Sequence, residues 1–104
     1  MAELILAPEA EAELDDIWLY IARESGSIEI ANRVVDSITG RFWLLARYPY
    51  SGRQRDHDLG AGLRSLASGD YIVIHRLESD QVVLILHIVL GSRDIGALLT
   101  RLRT

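Results

Sequence analysis

The sequence predicts an α+β domain with the order β-α-α-β-β-β, a helical hairpin packed on an antiparallel sheet. Three observations carry this. Two stretches before residue 48 repeat apolar residues at helical spacing, three apolar strand-like stretches follow residue 62, and the turns between those strands are of hairpin length. Helices and strands are segregated rather than alternating, which separates this pattern from a parallel α/β sheet. The 104 residues suffice for a single domain, 1–104, and are too few for two.

Taken in order, residues 3–7 form a short apolar strand. Pro8 suits the first turn of a helix, where its missing N–H costs nothing, and Glu9 and Glu11 face the positive end of the dipole. Ala10, Leu14, Ile17 and Ile21 make the buried face, while Glu9, Glu13 and Asp16 lie on another. Ser25-Gly26-Ser27 ends this helix, and Ser27 caps the next, expected from Ile28 to Arg47. Its stripe is Ala31, Val34, Val35, Ile38, Phe42 and Leu45; Gly40 sits inside it at a cost of about 1 kcal/mol relative to alanine unless a close helix contact needs it. Tyr48-Pro49 stops the helix. Residues 49–62 read as loop. Strands are expected at Leu63–Ala67, Tyr71–Leu77 and Val82–Leu90, with turns at Ser68-Gly69-Asp70 and around Ser79-Asp80. Residues 95–103 admit a short C-terminal helix.

Composition excludes several classes. With no cysteine there are no disulfides, zinc–thiolate sites or thiol nucleophiles. The longest apolar run, Val82 to Leu90, is nine residues broken by His87, against roughly twenty for a membrane helix. The N-terminus lacks the basic start of a signal peptide, so a cytoplasmic location without membrane partners is expected. A net charge of −4 argues against direct nucleic-acid binding. The charge is uneven: residues 1–36 carry −7 and residues 41–104 carry +3, and all 11 cations are arginine. Arginine offers a planar fork for carboxylate or phosphate rather than a titrating base.

Arg53, Arg55 and Arg64 cluster near the loop before the strands, and Arg93 follows the last one. These are candidates for an anionic partner; the plainer reading is pairing with Asp56, Asp58 or Asp94. Arg64 reads equally as a buried structural hydrogen-bonder. His75 and His87 sit on consecutive strands. With an even-length turn at Ser79-Asp80, His75 opposes Leu84 and His87 opposes Ile72, so the rings point to opposite faces; an odd turn or a bulge reverses this. The same parity places Tyr71, Val73, His75, Leu77, Val82, Leu84, Leu86 and Ile88 under the helices. It leaves Ile72, Ile74, Val83, Ile85 and Val89, with Arg76 and His87, on a face that something must cover. A partner chain, a dimer mate and the C-terminal segment are the options. Trp18 and Trp43 read as packing at the helix–helix seam. His57 between Asp56 and Asp58 is a weak ligand set; no metal and no cofactor is expected.

Several segments together resemble the ParE/RelE superfamily of toxins from type II toxin–antitoxin pairs, in its ParE-like branch. They are Ala12 to Ile21 (AELDDIWLYI), Leu45 with Pro49 and Gly52-Arg53, Leu59, Gly62-Leu63-Arg64-Ser65, Tyr71-Ile72-Val73-Ile74, and Gly91-Ser92-Arg93-Asp94, in this order. Two positions depart from the ParE-like pattern, His75 where an aromatic is common and Leu90 where a histidine is common. The resemblance implies a toxin that binds DNA gyrase without turnover chemistry of its own and is neutralised by a cognate ParD-like antitoxin. Target-binding candidates are then Arg53, Arg64, Arg76 and Arg93. Antitoxin-binding candidates are Ile72, Ile74, Val83, Ile85 and Val89. The RNA-cleaving branch is the alternative, a ribosome-dependent messenger RNA endonuclease with Arg64, His87 and Arg93 as its working groups. It resembles this chain less, because its usual basic residues would fall near Gly62 and Ile72 and its aromatic or histidine near the C-terminus, where this chain ends Leu99-Thr100-Arg101-Leu102-Arg103-Thr104. A non-toxic relic that only pairs with its antitoxin is a third reading.

Overall fold

The structure is a computed structural model, and it describes residues 1–91. Arg93 and the expected C-terminal helix lie outside the described residues. The elements are β1 (Glu3–Leu6), α1 (Pro8–Ser25), α2 (Ile28–Arg47), β2 (Arg53–Gln54), β3 (Leu63–Ser68), β4 (Tyr71–Ser79) and β5 (Val82–Leu90). Both helices keep the boundaries that local chemistry sets. Pro8 opens α1, and Gly26 closes it at φ +67°, a conformation that side-chain-bearing residues rarely adopt. The Ser27 hydroxyl accepts the Ile30 N–H at 3.2 Å and caps α2.

The strands form one five-stranded sheet in the order β1-β5-β4-β3-β2. The expected meander β3-β4-β5 is antiparallel. The sheet as a whole is mixed, because β1 adds to it parallel to β5. Glu3 N–H donates to Gln81 and Ala7 N–H to Ile85, while Ala2 N–H reaches the Ala46 carbonyl near the end of α2. β2 was not expected; it is two residues paired with Ser65 and Arg64 inside the segment read as loop.

The β4–β5 register corrects the parity reading. The two-residue loop is Asp80-Gln81, since Ser79 pairs with Val82, and the ladder then slips twice. Glu78 is extra on β4, and Leu86 is extra on β5 between the pairs His75–Ile85 and Ile74–His87. A one-residue slip turns side chains to the other face. Val83 and Ile85 are therefore fully buried with Ile17, Ile38, Leu45, Val73 and Ile88 beneath the helices. Leu86 moves to the opposite face.

That opposite face is also covered from within the chain. Ile74 and Val89 are buried with Leu59 from the loop and Leu63 from β3, and Ile72 packs half-buried beside them. The uncovered patch expected at Ile72, Ile74, Val83, Ile85 and Val89 does not form. The loop holds its shape through Arg55. Its carbonyl accepts the Leu59 N–H at 2.9 Å, and its guanidinium bridges Asp58 and the Ser65 hydroxyl.

The tryptophans separate. Trp18 Nε1–H donates to Asn32 Oδ1 at 2.7 Å across the helix seam, as expected. Trp43 points away from the seam and is 69% exposed, so its expected packing is corrected. Gly40 has no close helix contact either: a Cβ there would meet nothing within 4 Å. Gly40→Ala should therefore stabilise the fold by about 0.5–1 kcal/mol, read as a rise in melting temperature of about 2–8 °C in dilute solution.

Candidate functional site

The basic candidates gather where β2, β3 and β4 meet. Arg64 pairs across the ladder with Gln54 on one side and His75 on the other, and Arg76 pairs with Leu63. Arg64, Arg76, Gln54, Asp56, Leu63 and Leu77 line an open groove of about 270 Å³. Arg53 sits beside it on β2, exposed and without a side-chain partner among the described residues.

The two groove arginines differ in freedom. Arg64 is half-buried; its guanidinium donates to the Tyr50 carbonyl at 2.9 Å and lies 5.6 Å from the Tyr50 ring centroid. The Tyr50 hydroxyl in turn donates to Asp80, which raises its pKa above the ordinary tyrosine value. Arg76 is exposed and makes one surface ion pair, to Glu78 at 2.8 Å. Such a pair is worth at most about 1 kcal/mol and yields readily to another carboxylate or phosphate. The site therefore has one fixed and two available guanidinium groups. Its Asp56 already accepts the Gly62 N–H, and Asp58 is taken by Arg55. No His/Asp/Glu cluster among the described residues is arranged to hold a metal ion.

Behind the groove, His75 is fully buried. Its Nε2 lies 3.2 Å from the Ser51 carbonyl and its Nδ1 lies 3.4 Å from the Val73 carbonyl. A carbonyl only accepts, so a neutral ring donates to one of them, and the shorter contact places that proton on Nε2. The ring pins residues 50–52 beside Arg64. Gly52 is required at this point: at φ +93° a Cβ would stand 2.8 Å from the Ser65 carbonyl.

His87 is elsewhere. It sits on β5, two strands from Arg64, and Glu13 of α1 accepts from its Nδ1 at 3.2 Å. The same carboxylate accepts the Ile88 backbone N–H at 3.1 Å, on the stretch of β5 beyond its pairing with β1. Arg64 and His87 are thus not brought into one cluster, and the two histidines are held by separate partners. The sequence places Glu13 with Glu9 and Asp16 on a face apart from the buried stripe. Its position three residues after Ala10 and four before Ile17, beside the buried stripe, was the available signal.

Two expectations follow from these buried groups. Burial holds the His75 pKa below the usual histidine value, against the opposing pull of the Ser51 and Val73 carbonyls. Its contribution to stability is then complete above pH about 6.5 and is lost as pH falls below it, by at most about 1.4 kcal/mol per unit. Denaturation of His75→Phe across that range should show a flatter profile than the parent. Desolvation raises the Glu13 pKa, so its charge costs stability as pH rises above the ordinary carboxylate range. Glu13→Gln keeps an acceptor for Ile88 and His87 and should be as stable as the parent at pH 7, whereas Glu13→Ala should lose about 1–3 kcal/mol in urea unfolding.

Comparison with known proteins places the chain in a family. The family model for the ParE toxin of the type II toxin–antitoxin system parDE matches residues 4–95. Toxin ParE1 of Caulobacter vibrioides is 33% identical over 89 residues, covering 85% of this chain and 91% of that protein. Toxin ParE3 of the same organism is 29% identical over 97 residues, covering 93% and 94%. Among solved structures, a chain of the chromosomal ParDE system from P. aeruginosa superposes with a TM-score of 0.74 at 24% identity, covering 86% of this chain and 96% of its own. By its fold and the extent of these matches, this chain belongs to the ParE toxin family of type II toxin–antitoxin systems.

Proposed function

We propose that this protein is the toxin of a type II pair and acts by binding DNA gyrase, with no bond-breaking chemistry of its own. The observation that supports this most directly is the family match over residues 4–95, which spans the groove segments Gly52-Arg53 and Gly62 to Ser65. The groove chemistry is consistent with it. Arg53 and Arg76 are available to carboxylate or phosphate, Arg64 is fixed, and no histidine lines the groove as a proton carrier. Two exposed guanidinium groups on one sheet face, Arg53 and Arg76, suit recognition of an acidic protein surface.

The antitoxin needs a different surface from the strand positions first considered, because four of those five side chains are buried. Four exposed apolar residues lie on the half of the helical hairpin next to its turn: Leu19, Tyr20, Ile28 and Ile30. Asp16, Glu24 and Glu29 surround them. This half suits an antitoxin segment that is apolar on one side and basic at its edges. The complex would form in the cytoplasm, where gyrase acts.

The test is a supercoiling and cleavage assay with purified gyrase, plasmid and this protein, with and without ATP. Linear DNA or lost supercoiling is expected at protein levels comparable to gyrase. Arg76→Ala should unfold like the parent, within about 0.5 kcal/mol, and should weaken gyrase inhibition at least tenfold. A clean negative from folded parent protein would refute gyrase as the target, and cleavage of ribosome-bound messenger RNA becomes the next reading to assay.

A further inference from the structure

The outward side of α2 carries a stripe that nothing in the fold uses. Asp36, Gly40, Trp43 and Arg47 recur at spacings of four, three and four, which confines them to an arc of about 60°. Ile38 and Leu45, buried in the core, point the opposite way. All four stripe residues are exposed. Trp43, at 69% exposure, leaves most of a large apolar ring in water. One turn earlier, Gly40 leaves an open notch: a Cβ there would meet nothing within 4 Å, the Trp43 ring included. The helix-propensity cost of that glycine is not offset by any contact within the described residues. Neither Asp36 nor Arg47 has an ion-pair partner among the described residues; the Arg47 guanidinium lies 5.9 Å from the neighbouring Tyr48 ring.

We propose that a second copy of this chain docks on this stripe, α2 against α2 and antiparallel, about a two-fold axis passing between Arg41 and Phe42. The stripe is complementary to itself only in that arrangement. In an antiparallel helix pair, facing positions are placed symmetrically about one point in the sequence. Gly40 and Trp43 are symmetric about the midpoint between residues 41 and 42, and so are Asp36 and Arg47. One operation therefore sets the indole of each copy into the glycine notch of the other and brings each unpaired carboxylate to an unpaired guanidinium. A parallel alignment in register would oppose aspartate to aspartate and indole to indole. An unrelated partner helix has no reason to match a pattern that is its own reverse complement. A single helix crossing buries less than the roughly 1,200–2,000 Å² of a stable interface, so the dimer is weak, with a Kd on the order of tens of micromolar. The inference rests on the fold and does not depend on the identity of the toxin's target.

Sedimentation equilibrium of the full chain from a few micromolar to several hundred micromolar tests it. The weight-average mass is expected to rise from the 11.7 kDa monomer towards twice that value. Trp43→Ala and Gly40→Leu should each weaken self-association at least tenfold while leaving the circular dichroism spectrum unchanged. Asp36→Arg should weaken it by setting like charges opposite each other, and Asp36→Arg combined with Arg47→Asp should restore it. Rescue by the charge swap distinguishes a facing pair from a general loss of solubility or fold. A parent that stays monomeric throughout the range overturns the proposal, as does a dimer indifferent to Trp43→Ala or a swap that restores nothing. If Trp43→Ala spares self-association but abolishes co-purification with the antitoxin, the stripe belongs to the antitoxin and the proposal falls.

Discussion

The bulge in β5 at Leu86 aims most of what matters in this molecule. β5 is the strand on which the fold converges: β1 pairs with it in parallel, β4 pairs with it antiparallel, and α1 packs across it. Without the extra residue, the strand could not place Ile85 and Ile88 on the helix side and Leu86 and Val89 on the other. Beyond Ile85 the pairing with β1 ends, and a buried N–H without a partner on that edge would cost about 1–3 kcal/mol. Glu13 meets that need by accepting from Ile88, and it takes His87 in the same grip. A single carboxylate thus fixes the seating of α1 on the sheet. The burial that raises its pKa is the cost of that position, partly offset by the two hydrogen bonds.

The second organising feature is the segment between α2 and β3, which must turn the chain and still cover a sheet face. Its polar contacts do both. Arg55 closes the loop on itself and on Ser65, which brings Leu59 down over Ile74 and Val89. His75 and Arg64 hold its first residues through the carbonyls of Ser51 and Tyr50. A histidine at a fully buried strand position is expensive unless its nitrogens are met. The Ser51 carbonyl meets one, and the glycine at residue 52 lets the backbone come close enough to do so. This is how a position where an aromatic would pack without polar demands accepts an imidazole instead.

These two features explain what was and was not legible in the sequence. The helices were legible to the residue because their signals are local: Pro8, Gly26, Ser27 and the stripe from Ala31 to Leu45. The existence of β3, β4 and β5 was legible from composition and turn spacing. Their faces were not, because period-two alternation assumes an unbroken ladder and says nothing about a bulge; Val83 and Ile85 were misplaced for that reason alone. β2 is too short to show any alternation, and the parallel partner of β1 is nearly the whole chain away. Trp43 was misread as packing at the helix–helix seam, although the helical period places it outside the stripe. In the groove, the residue types were legible, but which guanidinium is fixed and which is available depends on carbonyls that only the folded loop supplies.

The arginines also give the charge asymmetry a physical sense. The acidic residues of the first 36 positions lie almost wholly on the helical hairpin, whereas the sheet end carries Arg53, Arg55, Arg64 and Arg76. Asp56, Asp58, Asp70, Glu78 and Asp80 lie on the same segments, so residues 48–91 are close to neutral; Arg55 pairs with Asp58 and Arg76 with Glu78, and the positive character there is local to Arg53 and Arg64. The acidic helical hairpin orients a basic partner before contact, over distances of about a Debye length. A basic partner is drawn to the helices, while an acidic one is held at the groove only by short-range contacts to its arginines. Two partners of opposite charge would then approach different ends, so occupation of one end need not block the other by overlap. Any control of the groove from the helical end would have to pass through the contacts that join them, and the Glu13 carboxylate on β5 is a polar one among these.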